Sequence, residues 1–189
     1  MRGRTHAVAA ATLGLGLSIV LRGSESNAWL AGSAVALVGG LLPDIDEPNS
    51  TIGFAPRTVA RSFSRGTKRG NPIRLALLVT GEILTGIVKA LATLIRELTG
   101  HRGATHWLVT ALFLSAPVIV LLDASLGLCF GVGYLSHIAL DMMTKSGVPV
   151  LGPFSDTRLH LLPRPMCVKT GGPLDHFLQY SLMVVYVLL

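Results

Sequence analysis

Apolar runs alternate with short polar segments along the chain, and five of the runs have the composition of membrane helices. Each run is shorter than the ~20 residues that a bilayer requires. The polar residues at one end of each run can extend the helix if they face protein rather than lipid. The pattern therefore predicts an all-α, polytopic membrane helix bundle of about five transmembrane helices. The predicted spans run from Ala7 to Leu21, Ala28 to Leu42, Trp107 to Leu122, Leu126 to Leu140 and Leu174 to Leu189.

A sixth stretch, from Ile73 to Ile95, has apolar residues at helical spacing but also carries Glu82 and Lys89. This pattern is typical of an amphipathic helix. We expect the helix to lie in the membrane interface or to form a re-entrant element, and whether it spans stays open. Glu82 is expected to pair with a neighbouring basic side chain.

Composition supports a membrane protein, because half of the 189 residues are hydrophobic and only 14% are charged. A soluble domain of this size needs more charge on its surface. We predict one membrane-embedded domain over residues 1–189, with Cys129 and Cys167 as inert thiols. The first run also resembles a signal peptide with Ser26-Asn27-Ala28 as its cleavage site, but cleavage would remove His6, a candidate metal ligand.

Basic residues are distributed unevenly and indicate a topology. Placing Arg2 and Arg4 inside by the positive-inside rule gives a multi-pass membrane protein with a cytoplasmic N-terminus. Six basic residues lie between Arg57 and Arg74 without an acid among them. This stretch lacks the interleaved aromatics of a nucleic-acid site, so we expect no nucleic acid and predict attraction to anionic membrane lipid.

The same topology places eight ionisable residues at the cytoplasmic ends of the predicted helices. Ionisable side chains at membrane depth are costly and are usually functional. These residues are widely separated in sequence, yet the charge rule gathers them at one depth without having used them. They are His6, Asp44, Asp46, His101, His106, His137, Asp141 and Asp175.

Three local motifs contain most of these residues. His137 and Asp141 are four residues apart, so a helix presents both on one face; a buried hydrogen-bonded pair is the alternative. Asp44 and Asp46 follow a span in a turn that prolines stiffen, which is also compatible with a solvated acidic turn. The third motif, His101 to His106, opens the third span, and Thr105 within it is a candidate N-cap.

A shell of mixed histidines and carboxylates suits a divalent metal, with zinc first and manganese or iron as alternatives. The candidates are numerous enough for one or two ions. The predicted metal ligands are His6, Asp44, Asp46, His101, His106, His137 and Asp141.

Four motifs in this order resemble the YdjM family over nearly the whole chain. They are Thr5-His6, Leu41 to Asp46, His101 to His106, and Gly133 to Asp141 followed by Thr144 and Gly147-Val148-Pro149. The resemblance implies a bacterial inner-membrane protein of a family described as metal-dependent hydrolases and associated with the LexA-controlled damage response. The motifs are also distantly similar to zinc-dependent phospholipase C and P1-type nucleases, which implies phosphoester chemistry. Relatives often carry glutamate near the start of the last helix, where this chain has Asp175.

The leading hypothesis is therefore a membrane-embedded metal-dependent hydrolase that acts on a lipid or another phosphoester. Asp46 or Asp175 is the predicted general base, and Arg102 is predicted to stabilise an anionic substrate. An interfacial arginine is the alternative for Arg102. Two further hypotheses use the same ligands: a metal-ion transporter, and a non-catalytic scaffold in which metal joins helix ends. The first needs polar residues in the outer half of the bundle, where the sequence has almost none.

Overall fold

The computed structural model describes residues 1–23, 27–100 and 102–189, which form seven α-helices, short 3-10 turns and no β-strand. All six predicted helical stretches are helices in the structure. The helices are α1 (Gly3–Arg22), α2 (Ala28–Leu41), α3 (Ala55–Ser64), α4 (Pro72–Thr99), α5 (Leu108–Leu121), α6 (Ala124–Met142) and α7 (Pro173–Leu188).

Four helical segments of the described chain are long and apolar enough to cross a membrane, and the predicted helical membrane bundle is confirmed. They are α1, α4, α6 and α2 with its 3-10 extension, Ala28–Asp46. α5 is apolar but has only 14 residues. α1 and α6 are longer than their apolar runs because their polar ends are helical, as predicted: α1 includes His6, and α6 includes His137 and Asp141.

Contacts divide the chain into two compact units. The bundle unit contains residues 1–43 and 102–189, with α1, α2, α5, α6 and α7. The helix-pair unit contains residues 44–101, with α3 and α4. The single domain expected over the whole chain stays a prediction.

Glycines allow the helices of the bundle unit to approach to backbone contact. A Cβ atom on Gly40 of α2 would lie 2.2 Å from the Cβ atom of Ala10 in α1. A Cβ atom on Gly133 of α6 would lie 2.0 Å from the carbonyl oxygen of Ala36 in α2. Small residues are the usual means of close helix packing in membranes. α1, α2 and α6 therefore form a tight core, and their polar side chains can meet.

Opposite ends of this core carry different polar clusters. At one end, the Arg22 guanidinium pairs with the Asp123 carboxylate and bonds the Ser125 hydroxyl. Asp123 also caps α6 by accepting a hydrogen bond of 2.9 Å from the Leu126 amide. These bonds join the last residue of α1 to the turn between α5 and α6. The start of α1 and the end of α6 lie at the other end of the core.

In the helix-pair unit, Gly81 of α4 allows α3 to pack closely, since a Cβ atom there would lie 2.4 Å from the Cβ atom of Ala60. Glu82 accepts two hydrogen bonds from the Arg57 guanidinium, of 2.6 and 2.5 Å. The predicted pairing of Glu82 with a basic neighbour is therefore confirmed. α4 begins with Asn71 as its cap, whose side chain accepts from the Ile73 amide at 2.8 Å.

Candidate metal centre

α6 provides two adjacent polar side chains in the centre of the bundle unit. The rings and carboxylates of helix positions i and i+4 leave the same face, and His137 Nε2 lies 3.8 Å from Asp141 Oδ2. Both residues are almost fully buried. Burial of a carboxylate among apolar helices is costly unless it is paired or binds a metal.

α1 adds His6 to this pair. His6 Nε2 lies 3.2 Å from Asp141 Oδ1. The His6 ring stacks on the His137 ring, with a centroid distance of 3.7 Å and an interplanar angle of 14°. His6 is buried. The early histidine and the His-x-x-x-Asp motif, more than 130 positions apart in the chain, are therefore in direct contact.

A third histidine comes from the 3-10 turn Ala104–His106, just before α5. His106 Nε2 lies 3.7 Å from Asp141 Oδ2, and the His106 ring meets the His137 ring edge-on at 5.3 Å. The prediction that Thr105 caps the third span is wrong. Trp107 occupies the N-cap position, and the Thr105 hydroxyl instead lies 2.9 Å from His106 Nδ1, because a 3-10 turn precedes the helix.

Backbone contacts select which nitrogen of His137 faces the cluster. His137 Nδ1 donates to the Gly40 carbonyl oxygen at 2.7 Å. In a neutral imidazole this leaves the lone pair on Nε2, the nitrogen that faces Asp141. Metal-bound histidines are commonly oriented by a carbonyl in this way. The contact also requires the close approach of α2 and α6 described above.

Two other buried nitrogens, His6 Nδ1 and His106 Nε2, have no hydrogen-bond partner among the described residues. Buried polar atoms are normally satisfied, and exceptions often mark an ion or a functional group. His6, His137 and Asp141 each offer one ligand atom, and these atoms lie within 4.8 Å of one another. Two imidazoles and one carboxylate are a known zinc ligand set that keeps a coordination position open. The residues present therefore fit a divalent metal.

Cationic groups neutralise Asp141 in the structure. Arg102 Nη2 lies 2.8 Å from Asp141 Oδ2, and Arg102 Nη1 donates to the Thr144 hydroxyl at 3.1 Å and also to the Ser146 hydroxyl. The terminal nitrogen of Met1 lies 2.5 Å from Asp141 Oδ1. Arg102 is 12% exposed, more than the histidines, so it forms the rim of the cluster. Its φ of 57° is uncommon for a residue other than glycine and is stabilised by these contacts.

Asp175, at the start of α7, contacts the start of α1. Its carboxylate accepts hydrogen bonds from the Thr5 hydroxyl at 2.6 Å, the Gly171 amide at 2.7 Å and the Arg2 amide at 3.2 Å. The predicted role of Asp175 as a base stays a prediction. Its contacts favour a different role, in which it positions the turn of α1 that carries His6.

Asp44 and Asp46 lie in the 3-10 helix Leu42–Asp46, which follows α2 directly. They are the first residues of the helix-pair unit, and their predicted roles as ligands, and of Asp46 as a base, stay predictions. His101, another predicted ligand, lies outside the described residues.

The remaining histidines and both cysteines have other surroundings. His160 Nε2 lies 3.3 Å from the Lys145 carbonyl oxygen, and His176 Nε2 lies 2.8 Å from Arg2 Nη1. Cys129 and Cys167 are free and buried. The expectation that both thiols are inert stays a prediction.

Sequence reasoning did not find the Gly40 carbonyl or the Thr5 hydroxyl as groups that orient the site. The first is a backbone atom, which no residue type identifies. The second is adjacent to His6 in sequence, but its partner lies 170 positions away.

Comparisons with known proteins identify one matching family and two relatives, all described as inner membrane proteins. The family model described as YdjM inner membrane protein matches residues 1–188. The chain is 29% identical over 158 residues to the inner membrane protein YdjM of Escherichia coli (strain K12), and equally to that of Shigella flexneri. The aligned region covers 79% of this chain and 61% of each relative, so the chain spans about three fifths of their length. No solved structure matches the chain significantly.

Proposed function

The chain belongs to the YdjM inner membrane protein family, and from this premise we propose that it is a membrane-embedded, metal-dependent hydrolase. The observation that supports the proposal most strongly is the buried cluster of three histidines around Asp141. The proposed ligands in the bundle unit are His6, His106, His137 and Asp141. Zinc is the proposed metal, with one or two ions, and manganese or iron are the alternatives.

The surroundings of the ligands support this proposal because two of the histidines already have a polar contact on the ring nitrogen that faces away from Asp141, and His6 is held by ring stacking. Gly40 holds His137, Thr105 holds His106, and α1 carries His6 against the His137 ring. Such outer contacts are typical of metal sites. Arg102 and the Met1 amine would have to share Asp141 with the metal, or move aside from it.

When bound, a divalent ion supplies Lewis-acid activation of water and of the scissile group. The chain's own residues then have separate tasks. Arg102, at the rim of the cluster, binds an anionic substrate and can donate two N–H hydrogen bonds to a phosphoryl group. Asp46 or Asp175 accepts the proton of the attacking water, and Asp175 also positions the turn of α1 that carries His6.

The proposed substrate is a lipid or a lipid-linked phosphoester. A site between membrane helices is reached most easily by a molecule that is already in the bilayer, and Arg102 favours a negative charge near the reacting bond. We propose that the protein resides in the inner membrane, because its relatives in Escherichia coli and Shigella flexneri are named inner membrane proteins. The proposed orientation places the N-terminus and the site on the cytoplasmic side.

The experiment uses the full chain purified in detergent, stripped of metal and reloaded with zinc or manganese. Hydrolysis is measured on liposomes with labelled phospholipid and, separately, on a soluble phosphodiester. We expect metal-dependent product release that Asp141→Asn abolishes. Asp156→Asn makes the same chemical change at an exposed position and should leave the rate unchanged.

The two substrates separate the parts of the proposal. Cleavage of the soluble phosphodiester alone would reject the lipid substrate but retain the hydrolase. Failure of both substrates to react, in protein shown to contain metal, would contradict hydrolysis of phosphoesters.

A second candidate function is a metal-joined scaffold, and the completeness of burial favours it. His6, His106, His137 and Asp141 are each at most 1% exposed, and they come from α1, α6 and the turn before α5. A metal in this place would join three parts of the bundle unit. His137→Ala distinguishes the functions: loss of activity with an intact fold supports the hydrolase, whereas loss of the fold supports the scaffold.

A further inference from the structure

The chain enters and leaves the helix-pair unit at the same end of the bundle unit. α2, which precedes this unit, has its Gly40 carbonyl 2.7 Å from His137. Arg102, which follows it, lies 2.8 Å from Asp141. The intervening segment therefore starts and finishes on one side of the membrane.

This connectivity argues against a single crossing by α4. A crossing would require residues 47–71 to cross in the opposite direction, and that stretch carries five arginine or lysine residues. Its one helix, α3, has 10 residues and is therefore about 15 Å long, against a hydrocarbon core of about 30 Å. These features argue against a span by α4, although its length and composition would permit one.

α3 and α4 enclose an apolar groove of about 420 Å³ within the helix-pair unit. Its wall on α3 includes Val59 and Phe63, and its wall on α4 includes Ile73, Leu77 and Leu84. Thr80 is the one polar side chain among the ten lining residues. Phe63 is 74% exposed and Ile73 66% exposed, both near the turn that joins the helices. Between Ile73 and Leu84 the groove extends for about 16 Å, at 1.5 Å per helical residue.

The turn at one end of this groove is strongly cationic. Arg65, Lys68 and Arg69 lie in it and are exposed or nearly so, and no described carboxylate forms an ion pair with them. Arg74, on α4, stabilises this turn, because its guanidinium donates to the carbonyl oxygens of residues 64 and 67 at 3.2 and 2.8 Å. Arg57, near the start of α3 and away from this turn, differs from these cations because it forms an ion pair with Glu82.

We propose that this groove binds an anionic phospholipid, with an acyl chain between α3 and α4 and the phosphate at Arg65, Lys68 and Arg69. The apolar walls match the chain, and the three cations match a phosphate at the mouth of the groove. A second copy of the protein would cover the apolar walls but would leave these cations unmatched, because the same surface carries no acid between residues 48 and 81. The site is separate from the metal centre and does not depend on the proposed hydrolysis.

The experiment measures phospholipid bound to the full chain in detergent by native mass spectrometry, with phosphatidylglycerol and phosphatidylcholine titrated in parallel. We expect one phosphatidylglycerol to bind tightly and phosphatidylcholine to bind more weakly. Each cation near an anionic lipid contributes a factor of about five to binding, so Arg65→Gln/Lys68→Gln/Arg69→Gln should weaken phosphatidylglycerol binding about a hundredfold. Arg158→Gln/Arg164→Gln/Lys169→Gln removes the same charge from exposed positions of the bundle unit and should have little effect.

A second pair of variants tests the groove itself. Ala76→Trp fills the groove, and Ala90→Trp adds the same bulk at an exposed position of α4 that does not line it. Only the former should reduce phosphatidylglycerol binding. Equal weakening by the two triple variants, or equal binding of the two lipids, would overturn the proposal. So would a detergent-stable dimer that Ala76→Trp dissociates, because the groove would then be an interface between copies.

Discussion

Asp141→Asn tests the metal centre through stability, because the Asp141 carboxylate lies within 4 Å of a ring nitrogen of His6, His106 and His137. Its oxygens lie 3.2 Å from His6 Nε2, 3.7 Å from His106 Nε2 and 3.8 Å from His137 Nε2. Asparagine has nearly the same size but lacks the charge, so the change removes an anionic ligand and creates little cavity. Any metal that binds the folded state alone stabilises it in proportion to RT ln(1 + [L]/Kd).

The magnitude follows from this relation. At a free zinc concentration of 100 times the wild-type Kd, zinc should stabilise the protein by about 2.7 kcal/mol. If loss of the carboxylate weakens zinc binding about a hundredfold, as is common for a ligand or its closest support, the same zinc concentration equals the new Kd. The stabilisation then falls to about 0.4 kcal/mol. For a chain of this size, the wild-type shift in Tm is on the order of 5–11 °C.

The assay is thermal unfolding in detergent with buffered free zinc and with a chelator. The stability of Asp141→Asn in chelator, compared with that of the wild type in chelator, also reports the free-energy cost of removing the partner of Arg102. This cost is separate from the zinc-induced difference. Asp156→Asn serves as the matched control because Asp156 is exposed. An undiminished zinc shift in Asp141→Asn would refute the assignment of Asp141 as a ligand.

Three further predictions concern the packing and the polar contacts that position the site. Gly133→Ala should destabilise the protein by about 1–3 kcal/mol through overpacking against α2, whereas Gly86→Ala, at an open position of α4, should not, as compared by thermal unfolding. Thr5→Val should cost about 1–3 kcal/mol, since the buried Asp175 carboxylate loses a donor, and zinc affinity should fall with it; unchanged zinc affinity would argue against a positioning role. Hydrogen bonds from an arginine, a serine and a backbone amide lower the pKa of Asp123 below its ordinary 3.8. The charged Asp123 therefore contributes its full stabilisation above pH 3.8 and loses it as the pH falls through the lowered pKa. In Asp123→Asn, the free energy of unfolding should accordingly fall less steeply with decreasing pH in this acid range than in the wild type.

The sequence was sufficient to predict six of the seven helices because apolar periodicity is a local property; α3, a short and strongly basic helix, was not predicted. The predicted run from Ala28 to Leu42 differs by one residue from α2, and the predicted Trp107 to Leu122 span contains α5. It was also sufficient to bring His6, His137 and Asp141 together, since charge asymmetry fixed which ends of the helices face the same side. The three residues meet in the structure within hydrogen-bonding or stacking distance.

Other features depended on contacts that no local pattern encodes. The N-cap prediction for Thr105 failed because a 3-10 turn, selected by its packing beside α6, replaced the expected helix start. The Tyr134 hydroxyl donates to the Thr105 carbonyl oxygen at 2.5 Å and helps to hold that turn. The orientation of His137 depends on a backbone carbonyl of α2, and the contact requires glycines at the helix interface. The assignment of Arg102 to the Asp141 carboxylate likewise appears only in three dimensions.

The most direct test of a metal centre built from histidine and carboxylate is X-ray absorption spectroscopy at the zinc edge of the zinc-loaded full chain. The account predicts nitrogen and oxygen ligands at about 2.0–2.2 Å, with imidazole scattering that decreases in His137→Ala and not in His160→Ala. Sulfur ligands at about 2.3 Å, or imidazole scattering that His137→Ala leaves unchanged, would contradict it.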